Sequence, residues 1–102
     1  GNIKYLVISD NLGWYRRSEK DDCCSIDKIT KDDILSLLDL ATDKEVVFEM
    51  DEITGDNLAN PAHKIIYSNL YSKFAEILAN RDRFLDESVT VYKDALDKYS
   101  ID

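Results

Sequence analysis

Proline occurs once in this 102-residue chain, histidine once, tryptophan once, cysteine twice and glycine three times. Each shortage removes a class of chemistry. The two cysteines, Cys23 and Cys24, are neighbours in "SEKDDCCSID", where a mutual disulfide is strained and the spaced pairs of an extracellular framework are absent. They are read as reduced thiols, one facing in and one facing out. A zinc site needs three or four ligands, and the single imidazole, His63, lies far along the chain from both thiols. No glycine-rich phosphate loop, no G-x-S-x-G turn and no histidine close in sequence to a nucleophile is present. No cofactor, no metal and no catalytic residue is therefore expected, and the chain is not read as an enzyme.

Long apolar runs are missing as well. Nothing approaches the roughly 18 residues of a membrane span, and the run Ile3 to Ile8 is too short for the core of a signal peptide, so no membrane and a cytoplasmic location are expected. Basic residues are outnumbered 13 to 21, giving a formal charge of −8 and a pI near 4.5. That balance disfavours direct binding to nucleic acid phosphates or to an anionic lipid surface. A basic protein is the easier partner, although acidity also serves solubility alone.

What is present amounts to one globular domain, residues 1–102, long enough for a single core. "IKYLVIS" (3–9) reads as a buried strand, and "DNLG" has turn chemistry with glycine at its close. "WYRRS" (14–18) then returns as an antiparallel partner. Residues 19–28 form a charged loop with a short extended piece at "CCSI". Thr30 caps a helix whose first-turn acids complement its dipole, with Ile34, Leu37, Leu38 and Ala41 facing the core and Leu35 and Leu40 widening that face. "EVVFEM" (45–50) is a strand, and "ITGDNLAN" a loop. Asn60 followed by Pro61 marks the start of a second helix, with Ala62, Ile66, Leu70, Phe74, Ile77 and Leu78 as its stripe, joined by Ile65 and Tyr67, reaching about residue 80. Asp86 caps a third helix, with stripe Val89, Tyr92, Leu96 and Tyr99. The expected fold is α+β: a small mixed or antiparallel sheet of two or three strands packed against about three helices, with a helical C-terminal half.

Negative charge is concentrated in "DKEVVFEMDEITGD" (43–56), where Asp43, Glu45, Glu49, Asp51, Glu52 and Asp56 meet only Lys44, a net of −5. On a strand, Glu45, Val47, Glu49 and Asp51 share one face and Val46, Phe48 and Met50 the other. Carboxylates spaced about 6–7 Å apart repel one another and favour a cation opposite. Three functional readings compete with a merely solvated face. A hard metal could use Glu49, Asp51, Glu52 and Asp56, but the order of an EF-hand loop is missing. A glycosidase-like carboxylate pair needs a substrate cleft, and only Trp14 is available to line one. A contact face for a basic protein requires charge and exposure alone.

"YLVISDN" and "VVFEMDEITG" resemble the first acidic strand and the phosphorylated strand of a response-regulator receiver domain, with Asp10 and Asp51 in matching places. The pattern departs from that family in having one helix between the two strands, and no later strand with the family's lysine, and the resemblance is set aside.

"GWYRR" supplies Trp14, Tyr15, Arg16 and Arg17, the residue types in which binding energy concentrates. The competing reading makes Trp14 a core residue and pairs the arginines with nearby acids. The sequence thus suggests a small acidic protein-binding module, in the manner of an immunity protein, antitoxin or inhibitor that blocks a basic, for example nucleic-acid-cleaving, partner. Its candidate contact residues are Glu45, Glu49, Asp51, Glu52, Asp56, Trp14, Tyr15, Arg16 and Arg17. The alternatives are a carboxylate-dependent metal-binding or hydrolytic domain, and a homo-oligomer subunit.

Overall fold

A computed structural model describes residues 3–83. In chain order the elements are β1 (Lys4–Ser9), β2 (Leu12–Tyr15), β3 (Cys24–Ser25), a single 3-10 turn (Ile26–Lys28), α1 (Lys31–Thr42), β4 (Glu49–Met50) and α2 (Pro61–Arg83). The architecture is α+β, with a mixed four-stranded sheet in the order β3-β2-β1-β4. Two helices are seen among the described residues rather than three. The third, expected from Asp86, lies outside them. The fourth strand comes from the extended piece at "CCSI", which pairs as β3, whereas the strand expected over 45–50 is regular only at Glu49–Met50.

The hairpin begins where expected and turns sooner. Ser9 pairs with Leu12, so the loop is Asp10 and Asn11 alone, both with positive φ (57° and 62°). That is the type I′ geometry whose twist matches a hairpin, tolerated by Asp and Asn because short polar side chains accept the left-handed region. Gly13 is consequently not a turn residue. It lies in β2 opposite Ile8, and a Cβ there would stand 3.0 Å from Tyr67 Cδ2 and 3.2 Å from Ile26 Cγ2. The glycine is required by the close approach of α2, and β2 consequently covers Leu12–Tyr15 rather than 14–18.

α1 starts as read. Thr30 Oγ1 accepts the Asp33 N–H (3.1 Å), and Asp33 Oδ2 accepts the Thr30 N–H (3.0 Å), a reciprocal capping box. Leu37 and Ala41 are buried, Ile34, Leu38 and Leu40 partly so, whereas Leu35 is 49% exposed and does not widen the core face. α2 starts with Asn60 Oδ1 accepting the His63 N–H (3.1 Å) ahead of Pro61's turn. It runs past the expected end near residue 80 to Arg83. Its inward stripe is His63, Tyr67, Leu70 and Phe74, with Ile66, Ile77 and Leu78 packed against the core as expected, while Ala62 and Ile65 face solvent. The expected face therefore holds except at its edge, where Ala62 and Ile65 drop out and His63 joins.

Leu6, Ile26, Leu37, Leu58, Tyr67 and Phe74 are the largest fully buried side chains, each stabilising the fold by about 1.5–3 kcal/mol through burial. Tyr5 stacks on Phe48 (4.9 Å between centroids), which in turn meets Phe74 (5.5 Å). This ring column ties β1, the approach to β4 and α2 into one core. No helix among the described residues is long and apolar enough to cross a membrane.

Candidate partner-binding surface

β1 separates the two groups of candidate residues, since β2 lies on one side of it and β4 on the other. The "GWYRR" group is also divided within itself. Tyr15 is buried and donates its hydroxyl to Asp33 Oδ2 at 2.6 Å. Arg17 Nε lies 3.6 Å from Asp33 Oδ1 and 3.6 Å from Asp21 Oδ2. Both side chains thus turn toward the start of α1, as the two-residue period requires. Trp14 and Arg16 take other partners. Trp14 is half-buried, placed across from Val7, and donates its indole N–H to the Ser9 carbonyl (3.1 Å). Arg16 donates through Nη1 to the Asp21 carbonyl (3.3 Å) and through Nη2 to Cys23 Sγ (3.3 Å), while its Nε is buried without a partner among the described residues. Beneath Arg16, Cys23 is half-buried, and Cys24 is exposed.

Asp33 accepts from a phenol and a backbone amide, and its pKa is lowered, first by the Tyr15 hydroxyl. Burial raises the pKa of Tyr15, with Asp33 adding to the effect. The pair is a fixed O–H···O⁻ bond joining β2 to α1, strong because the acceptor is ionised. Nothing in the sequence beyond the capping pattern pointed to it.

The second group, residues 45–56, brackets the edge strand β4, with only Glu49 and Met50 in the sheet itself. Asp51 is built into the fold: Oδ2 accepts the Ile8 N–H (2.9 Å), Oδ1 pairs with Lys4 Nζ (2.7 Å), its own N–H donates to Leu6 O (2.8 Å), and its carbonyl accepts the Tyr67 hydroxyl (2.6 Å). Asp51 thereby prolongs the parallel pairing of β4 with β1 beyond its two regular residues and raises the pKa of Lys4. Glu49 is half-buried beside it. Asp43, Glu45, Glu52 and Asp56 are exposed, and among the described residues none of these four carboxylates is held in an ion pair. Just ahead of β4, Val47 is 62% exposed, while Phe48 is buried.

Arg81 fixes the beginning of this run. Its Nη1 lies 2.8 Å from the Asp43 carbonyl, 3.0 Å from that of Val46 and 3.3 Å from that of Ala41. One guanidinium from α2 thus satisfies the carbonyl end of α1, where a cation is favoured, and sets the path of residues 43–46. Sequence reasoning missed it because its partners stand 35–40 positions away. His63, whose place in the first turn of the second helix suggests a surface or capping residue, departs from that for the same reason. It is buried, its Nδ1 accepts the Gly13 N–H (3.0 Å), and Nε2 is 3.8 Å from Asp27 Oδ2. Because Nδ1 accepts, the proton of the neutral ring is on Nε2, toward Asp27. The imidazole joins α2 to β2.

A cleft of about 500 Å³ opens beside Arg81's loop, within the range of about 300–1,000 Å³ typical of ligand pockets. Tyr5, Leu40, Val46 and Val47 supply apolar walls, and Glu19 and Glu45 bring carboxylates to it. The pKa of Tyr5 is raised, by burial first and by Glu19 next, with Arg16 opposing. Among the described residues no three His, Cys, Asp or Glu side chains come together to hold a metal ion. Compared with known protein families, with curated proteins and with solved structures, the chain gives no significant match.

Proposed function

We propose that this chain is a small acidic protein-binding module that recognises a basic protein, serving as an inhibitor of that partner in the manner of an immunity protein or antitoxin. The supporting observation is that Asp43, Glu45, Glu52 and Asp56 are exposed and have no ion-pair partner among the described residues. An acidic run that the fold has already neutralised has little field left for a ligand. This one keeps most of its charge, and a field of one sign speeds the approach of an oppositely charged protein and rejects like-charged ones. Val47, exposed within the run, offers apolar contact area where charge alone gives little net affinity.

Asp51 differs from its neighbours in this reading. Its carboxylate is occupied by Ile8 and Lys4, so a substitution there perturbs the sheet as well as the surface. The test therefore uses Glu45→Lys with Glu52→Lys and Asp56→Lys, leaving Asp51 intact. Protein immobilised on a column is exposed to lysate of its source cells at low and at moderate salt, with the triple variant alongside and both forms checked for equal melting temperature. A basic protein retained by the native chain, weakened by salt and lost on the variant, is the expected result. Retention indifferent to both salt and charge reversal would remove the electrostatic basis of the proposal.

A further inference from the structure

The cleft sets apolar side chains beside two glutamates. Around the cleft, Leu40 comes from α1, Val46 and Val47 from the run that Arg81 holds, and Tyr5 from β1, where it is anchored by its stack on Phe48. Tyr5, Leu40 and Val46 are fixed by core contacts while Val47 stands exposed at the rim, so most of the cleft is part of the folded framework. Glu19 and Glu45 are exposed and neither is ion-paired among the described residues. Arg16, whose charge acts on the cleft's Tyr5, is engaged by the Asp21 carbonyl and Cys23.

A site with hydrocarbon sides and anionic groups matches a side chain with a hydrocarbon stem and a cationic head. We infer that the cleft receives one lysine or arginine side chain of the basic partner, its methylenes lying along Leu40, Val46 and Val47 and its cation reaching Glu19 and Glu45. Long cationic side chains bury their stems and keep their heads with polar groups in this way. The inference rests on the partner-binding reading above and narrows it: charge brings the partner in, and one inserted residue fixes its register. An acidic side chain is repelled, and a purely aliphatic one leaves both carboxylates without a counter-charge.

The test is an amide chemical-shift titration of the full chain with four capped pentapeptides, Gly-Ser-X-Ser-Gly, in which X is arginine, lysine, norleucine or glutamate, taken to millimolar concentrations. Saturable shifts at Tyr5, Glu19, Glu45, Val46 and Val47 are expected with the arginine and lysine peptides. Norleucine should bind about two- to fivefold more weakly, the yield of an exposed charge interaction, and glutamate should not bind. Glu19→Gln combined with Glu45→Gln, both exposed and so compatible with folding, should lower the arginine peptide to the norleucine level. Norleucine binding as tightly as arginine would overturn the inference, as would the absence of cleft shifts with every peptide. Shifts confined to Glu49, Glu52 and Asp56 would leave the acidic-face proposal standing and remove the cleft from it.

Discussion

Replacing Gly13 with alanine adds one methyl group where the structure has no room for it. The new Cβ would stand 3.0 Å from Tyr67 Cδ2 and 3.2 Å from Ile26 Cγ2, and both neighbours are fully buried. Neither can swing into solvent. Overpacking of this kind costs about 1–3 kcal/mol, against which removing a glycine from a strand returns about 0.5–1 kcal/mol of chain entropy. The net loss is about 1–2 kcal/mol, and at about 4–8 °C per kcal/mol for a domain of this size the melting temperature should fall by about 5–15 °C. Urea unfolding followed by circular dichroism should show a lower midpoint with the slope retained. Gly55 provides the contrast: it has φ +54° and nothing within 4 Å of an added Cβ, so there the cost is conformational. Asparagine, which tolerates that region, should therefore be milder than alanine at Gly55 and harsher than alanine at Gly13. A Gly13→Ala protein as stable as the native one would refute the packing argument.

Two further substitutions test other parts of the framework. Asn11→Gly, at φ 62° in the two-residue turn, should stabilise the hairpin by about 0.5–1 kcal/mol, read as a higher melting temperature. Asp33→Asn weakens the bonds from Tyr15 and Thr30 and should cost about 1–2 kcal/mol at neutral pH. The pKa of Asp33 is lowered by folding from its ordinary 3.8, so its contribution is fully present above that value and is lost as pH falls through the lower folded value. The stability gap between native and variant should accordingly be constant above about pH 5 and close below about pH 4. A gap that instead widened with acid would contradict the assignment of Asp33 as the ionised acceptor.

Much of the fold was legible wherever the cause was local. Thr30 with Asp33, Asn60 with Pro61, and Asp10 with Asn11 each act on backbone groups within a few residues, and all three are found at the boundaries they mark. The acidic run could be read in the same way, because charge density is a property of composition. Its internal division was not legible. Nothing local distinguishes Asp51, which carries the junction of β4, β1 and α2, from Glu52 next to it, which faces solvent. The "GWYRR" tract reads as one patch in sequence, and the strand's alternation sends Tyr15 and Arg17 to Asp33 while Trp14 and Arg16 find other partners.

The sequence by itself determined the α+β class, the capped helix starts, the hairpin and the place where negative charge accumulates, because propensity, capping and charge act over short stretches of chain. The tertiary structure alone decided that Gly13 makes room for Tyr67, that His63 accepts the Gly13 N–H, and that Arg81 holds the loop ahead of β4. Those roles depend on groups brought together from 38 to 54 positions apart, and a polar or tightly packed site in the interior is defined by whichever donor, acceptor or methyl group the fold delivers to it.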